Sequence, residues 1–135
     1  MSLAQPTVER CVSVAIVDDE ESVRVSLRRL CKALGMNPTV YASGKELIAS
    51  LDSGTGHPDC LLLDAHMPQM TGLEVHSHLR GSGVRLPTVV YTADDAPELQ
   101  MRYLAAGVTE YLRKPIGAEE LLAAIERAMT SRVQG

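Results

Sequence analysis

Five short apolar runs, each followed by a longer stretch of helical period, constrain this chain more than any other feature. The runs occupy residues 12–17, 38–41, 60–63, 88–91 and 109–112 and stop at polar or turn-forming residues. Runs of this length, rich in β-branched residues, read as strands, and their continuous apolarity places them in a sheet covered on both faces. Between them Val23, Leu27, Leu30 and Leu34 draw one apolar stripe along a first helix closed by Gly35. Ser43-Gly44-Lys45-Glu46 has the form of a capping box opening a second helix around Leu47, Ile48 and Leu51. A third helix spans 73–80, before Gly81-Ser82-Gly83. The fourth spans 96–106, with Pro97 in its first turn, Leu99 and Leu104 as its apolar residues and Gly107 as its stop. The fifth spans 118–129, with Leu121, Leu122, Ile125 and Met129 on one face.

Strands alternating with helices through short loops imply one α/β domain, a parallel sheet with right-handed crossovers and helices on both faces. In such sheets ligands bind beyond the carboxyl ends of the strands, where strand order reverses. The chain has 135 residues, enough for one domain with a substantial core. Residues 1–10 read as a disordered leader or a cloning remnant, 11–130 as the domain and 131–135 as a C-terminal tail.

The charge balance, 13 Lys and Arg against 17 Asp and Glu, contains no basic block able to neutralise a row of phosphates, so direct nucleic-acid contact by this domain is not expected. Cys11, Cys31 and Cys60 are odd in number and far apart, and read as small core residues in a reducing compartment. No apolar run is long enough to span a membrane, and no secretory signal opens the chain, which points to the cytoplasm and away from a membrane partner.

Polar groups gather where the strands end. The first run ends in Val17-Asp18-Asp19-Glu20, the third in Asp64, the fourth in Thr92 and the fifth in Lys114-Pro115. If strands one and three are neighbours, Asp18, Asp19 and Asp64 converge, and two carboxylates about 4 Å apart repel by about 4 kcal/mol at an effective dielectric near 20. A divalent cation removes that penalty, and an all-oxygen cluster suits Mg2+ better than zinc. Lys114 adds a fixed positive charge and Thr92 a hydroxyl, so the set suits phosphoryl transfer to Asp64 as nucleophile.

"VAIVDDEESVRVSLRRL", "LLLDAHMPQMTGLEV", "VVYTADD" and "GVTEYLRKP", in this order and spacing, resemble the receiver domain of two-component response regulators, most closely the FixJ type. The resemblance covers about residues 12–129. It implies a flavodoxin-like (βα)5 fold with strand order 2-1-3-4-5, an order taken from the family, whose members include the general example of that topology. It further implies that Asp64 accepts a phosphoryl group from a sensor histidine kinase. Asp19, Asp64 and the His66 backbone carbonyl would ligate Mg2+, with Asp18 acting through water.

Thr92 would be the switch hydroxyl, Tyr111 the switch aromatic, Lys114 the phosphate-pairing ammonium, and Lys114-Pro115 a cis peptide. His66 and Asp94 flank the path of a hydrolytic water and would tune phosphate lifetime. Output would pass through the face of the fourth helix, fifth strand and fifth helix, with homodimerisation there on phosphorylation. In FixJ-type relatives a DNA-binding domain follows and links the receiver to transcription regulation. Gly117 departs from the family, which often places an Asp cap there.

Taken singly, these residues have plainer readings. Asp64 or Thr92 alone could be a cap, Asp18 and Asp19 could cap the first helix, and Lys114 could be an exposed strand end. His57, His66, His76 and His78 read as surface residues, since the last pair share no helical face and a hard oxygen cluster disfavours imidazole. Two other functions fit parts of the pattern: an interaction module of receiver shape that never takes phosphate, and a Mg2+-dependent phosphohydrolase with an Asp nucleophile. The hydrolase lacks the second acid such enzymes commonly carry two residues on, where this chain has His66. A Rossmann nucleotide site lacks its glycine-rich loop after the first strand.

Overall fold

The computed structural model describes residues 11–54, 57–94 and 96–134, the last four by their backbone alone. The expected leader, residues 1–10, lies outside the described residues. Five parallel strands, β1 (Ser13–Val17), β2 (Asn37–Tyr41), β3 (Cys60–Asp64), β4 (Thr88–Thr92) and β5 (Glu110–Arg113), form one sheet in the order β2-β1-β3-β4-β5. Helices α1 (Glu21–Ala33), α2 (Gly44–Asp52), α3 (Gly72–Gly81), α4 (Pro97–Ala105) and α5 (Ala118–Gln134) connect and follow them. This is the flavodoxin-like arrangement expected from the family resemblance.

The continuous apolarity of the runs follows from the pleat, because successive side chains of a strand enter opposite cores. Val14, Ile16, Leu62, Val89 and Tyr91 pack with Leu27 and Cys31 of α1 and with Leu121, Ala124 and Ile125 of α5. Ala15, Val17, Leu61, Leu63 and Val90 pack with Leu47 and Leu51 of α2, Val75 and Leu79 of α3, and Tyr103 of α4. Leu61, Leu62 and Leu63 are all fully buried. At about 1.5–3 kcal/mol for each such side chain, this central strand anchors the position of whatever follows it.

Local signals set the helix starts. Ser43 Oγ accepts from the Glu46 amide at 3.1 Å, but Glu46 Oε1 reaches back to the Ala42 amide, so only half of the expected box forms on its own cap. The complete box lies at Thr71 and Glu74, unnoticed in the sequence, and starts α3 one residue before the expected Leu73. Helix α5 runs to Gln134, beyond the expected end at Met129.

Burial departs from expectation at three positions. Cys11 precedes β1 and is exposed, not a core residue like Cys31 and Cys60. His76 is buried because it follows Val75 on the inward side of α3, while His57, His66 and His78 are exposed. In α4 the buried residue is Tyr103, whereas Leu104 faces outward.

Candidate functional site

The register of the sheet sets the site. Val17 pairs with Leu63, and Asp64 pairs with Tyr91, so β1, β3 and β4 end together and their next residues meet at one edge. Asp18 is fully buried there. A buried carboxylate is costly unless its oxygens find donors. The Glu20 amide donates to Oδ1 at 2.8 Å and the Tyr91 hydroxyl to Oδ2 at 2.8 Å. Its backbone is held as well, with Arg24 Nη1 donating to the Asp18 carbonyl at 2.7 Å.

Asp64 closes β3 at 4% exposure and accepts from the His66 amide at 3.3 Å. Burial, reinforced by the nearby Asp18 carboxylate, pushes its carboxyl up to about 6 and outweighs the attraction of Lys114. The chain after Asp64 folds back tightly. A side-chain carbon at Gly72 would sit 2.6 Å from the Asp64 carbonyl oxygen. The Tyr103 hydroxyl bridges this turn, donating to the Ala65 carbonyl and accepting from the Leu73 amide, both at 2.9 Å.

One carboxylate oxygen from each of Asp18, Asp19 and Asp64 lies within 4.8 Å of the others. Neither Asp18 nor Asp19 caps α1, whose N-cap is Glu20 and receives no side-chain cap bond. Asp19 is exposed and turned to the same edge. Three hard oxygen donors, with no imidazole or thiolate among them, fit Mg2+.

Lys114 faces this cluster. Its Nζ lies 3.7 Å from Asp18 Oδ2, 3.9 Å from Glu20 Oε1 and 3.9 Å from Asp64 Oδ1, and 5.2 Å from the centre of the Tyr91 ring. The Lys114–Pro115 peptide is cis. Thr92 ends β4 fully buried, its hydroxyl accepting from the Asp94 amide at 3.0 Å and its carbonyl from the Lys114 amide at 2.8 Å. His66 and Asp94 join above, Nε2 to Oδ2 3.2 Å. Tyr111 stands apart, half-buried against Tyr103 with ring centres 5.9 Å apart, its hydroxyl enclosed without a hydrogen-bond partner among the described residues.

Sequence reasoning missed three members of the neighbourhood. Glu20 read only as part of the polar end of the first run, and Tyr103 was passed over for Leu104. Tyr91 read only as the end of the fourth apolar run, yet a tyrosine in a fully buried strand must place its hydroxyl somewhere, and that requirement was the available signal. Burial and the Asp18 carboxylate both push its phenol strongly upward, so it is a neutral donor.

Residues 14–126 match the family model described as the response regulator receiver domain. The chain belongs to the response regulator receiver family. This receiver domain is 41% identical over 123 residues to the response regulator MprA of Mycobacterium tuberculosis, covering 91% of this chain and 52% of that protein. MprA of Mycolicibacterium vanbaalenii is 40% identical over 121 residues, with 90% and 51% covered. The receiver therefore spans about half the length of these relatives. Among solved structures, FixJ-N superposes with a TM-score of 0.82 at 28% identity, covering 90% of this chain and 95% of that one. Vibrio cholerae CheY4 superposes with a TM-score of 0.80 at 28% identity, covering 88% and 99%.

Proposed function

We propose that this receiver takes a phosphoryl group from a phosphohistidine of a sensor histidine kinase onto Asp64, with Mg2+ bound by Asp19, Asp64 and the His66 carbonyl and by Asp18 through water. The observation that carries the reading is the meeting of three acid oxygens within 4.8 Å, with Lys114 Nζ 3.9 Å from Asp64. In the transfer, a carboxylate oxygen of Asp64 forms the new P–O bond while the P–N bond breaks and its electron pair returns to the donor imidazole. Mg2+ bound by these residues would neutralise charge on the phosphoryl oxygens. The chain supplies the rest. Lys114 balances the added charge, and the strand ends hold the Asp64 carboxylate against Asp18, Asp19 and Lys114.

The aspartyl phosphate adds nearly two negative charges beside Lys114 and gives Thr92 a new acceptor. Thr92 moves toward it, and Tyr111 turns into the volume vacated, remodelling the α4-β5-α5 face. If the active state starts near 1%, reaching 99% takes about 5.5 kcal/mol, within reach of several charge-assisted contacts. Met101 and Leu104 stand exposed on α4, at 68% and 45%, apolar side chains of that helix open to a homodimer or an output domain. A DNA-binding output, as in the FixJ type, makes the receiver a cytoplasmic regulator of transcription. No helix among the described residues is long and apolar enough to cross a membrane.

Treatment with a small phosphodonor and Mg2+, read by intact mass, tests the reading. Wild type should gain one phosphoryl group and Asp64→Asn none. An unmodified wild-type chain would instead favour an interaction module that never takes phosphate, and steady hydrolysis of phosphate esters would favour the hydrolase.

A further inference from the structure

We propose that Tyr91 is a positioning residue of this site: its hydroxyl occupies Asp18 Oδ2 and so keeps Lys114 from closing onto Asp18. The inference rests on the Mg2+ site of the proposed function and adds a residue to it. Two groups compete for one oxygen. The Tyr91 hydroxyl holds Asp18 Oδ2 at 2.8 Å, while Lys114 Nζ stands 3.7 Å from the same atom, beyond hydrogen-bond reach. The other oxygen of Asp18 is taken by the Glu20 amide at 2.8 Å.

Lys114 consequently sits between three carboxylates, 3.7–3.9 Å from each, bonded directly to none of them. The ring of the same tyrosine lies under the ammonium at 5.2 Å and supports it there. One side chain thus orients the metal-facing acid and holds the phosphate-facing cation at a distance. With the hydroxyl removed, Asp18 Oδ2 is a buried acceptor without its donor, and Lys114 is the nearest donor. An approach of about 1 Å would form a direct charge-assisted bond. Asp18 would then be neutralised by Lys114, and a divalent cation would have to break that pair to bind.

Tyr91→Phe keeps the ring and its packing and removes only the hydroxyl. Mg2+ affinity of the whole 135-residue chain, followed by backbone amide NMR shifts of Asp19 and His66, should be measured for wild type, Tyr91→Phe, Lys114→Gln and the double variant. Tyr91→Phe should weaken Mg2+ binding about tenfold when Lys114 is present and by less than about twofold when residue 114 is Gln, the signature of coupling through a shared partner. Equal losses in the two backgrounds would reduce Tyr91 to a structural role, and an affinity within twofold of wild type would overturn the inference outright. A wild type that binds no Mg2+ ends both this inference and the reading beneath it. If the Lys114-dependent loss appears in a chain that takes no phosphate, phosphoryl transfer fails while the role of Tyr91 stands.

Discussion

His66 and Asp94 clasp each other across the ends of β3 and β4, Nε2 to Oδ2 3.2 Å, while their backbone amides hold the Asp64 carboxylate and the Thr92 hydroxyl. The pair spans the gap between the proposed acceptor and the proposed switch. Asp94 is held below the usual carboxylate range by the Ala96 amide and by His66.

A clasp in this position should slow the approach of water to a phosphoryl group on Asp64. Asp94→Ala should shorten the aspartyl phosphate half-life severalfold, measured as loss of phosphorylated mass with time after donor removal. Identical decay in the two proteins would deny the pair any part in phosphate lifetime.

The acceptor should also leave a mark on stability. Folded Asp64 keeps its proton to about pH 6, whereas its ordinary value is 3.8. Between these values the folded state binds more protons than the unfolded chain, so stability falls as pH rises through the window and the penalty is complete above it. Without divalent cations, Asp64→Asn should be more stable than wild type at pH 7 by about 1–2 kcal/mol, allowing for solvent at the mouth of the site, and should lose that advantage below about pH 4. Urea unfolding across this range checks both the size and the window.

Tyr111 carries an enclosed hydroxyl without a partner among the described residues. Removing an unsatisfied buried group relieves a desolvation cost of about 1 kcal/mol or more. Tyr111→Phe should therefore raise the denaturation midpoint of the unphosphorylated domain. A lowered midpoint would mean that the hydroxyl is satisfied in solution.

Gly72 is fixed by close approach of other groups, since its backbone does not lie in the left-handed region. An added carbon meets the Asp64 carbonyl oxygen at 2.6 Å and the Tyr103 hydroxyl at 2.9 Å. Gly72→Ala should destabilise the domain by about 1–3 kcal/mol, since at the first helical position little helix propensity is gained in return. Chemical denaturation gives the sign directly.

The strands could be read from the sequence because a doubly covered sheet demands unbroken apolar runs, and the meeting of Asp18, Asp19, Asp64 and Lys114 followed once their order was taken from the family. Features that depend on side-chain direction within an element were harder to read. His76 lies one residue from Val75, and nothing in the spacing told which way it turned. Tyr103 and Leu104 both suit a helix, but only Tyr103 meets the core. The Tyr91 to Asp18 bond joins residues 73 apart in sequence, and no local pattern announces it.

Leu63 lies in the core beneath α2 and α3, its neighbour Leu62 in the opposite core beneath α1 and α5. Inserting a single residue ahead of Leu61 would exchange these partners throughout β3 and turn the carboxylate at its tip away from its two companions. Length variation in this molecule should therefore be tolerated in the crossings between layers and lethal within the central ribbon, whatever the inserted amino acid.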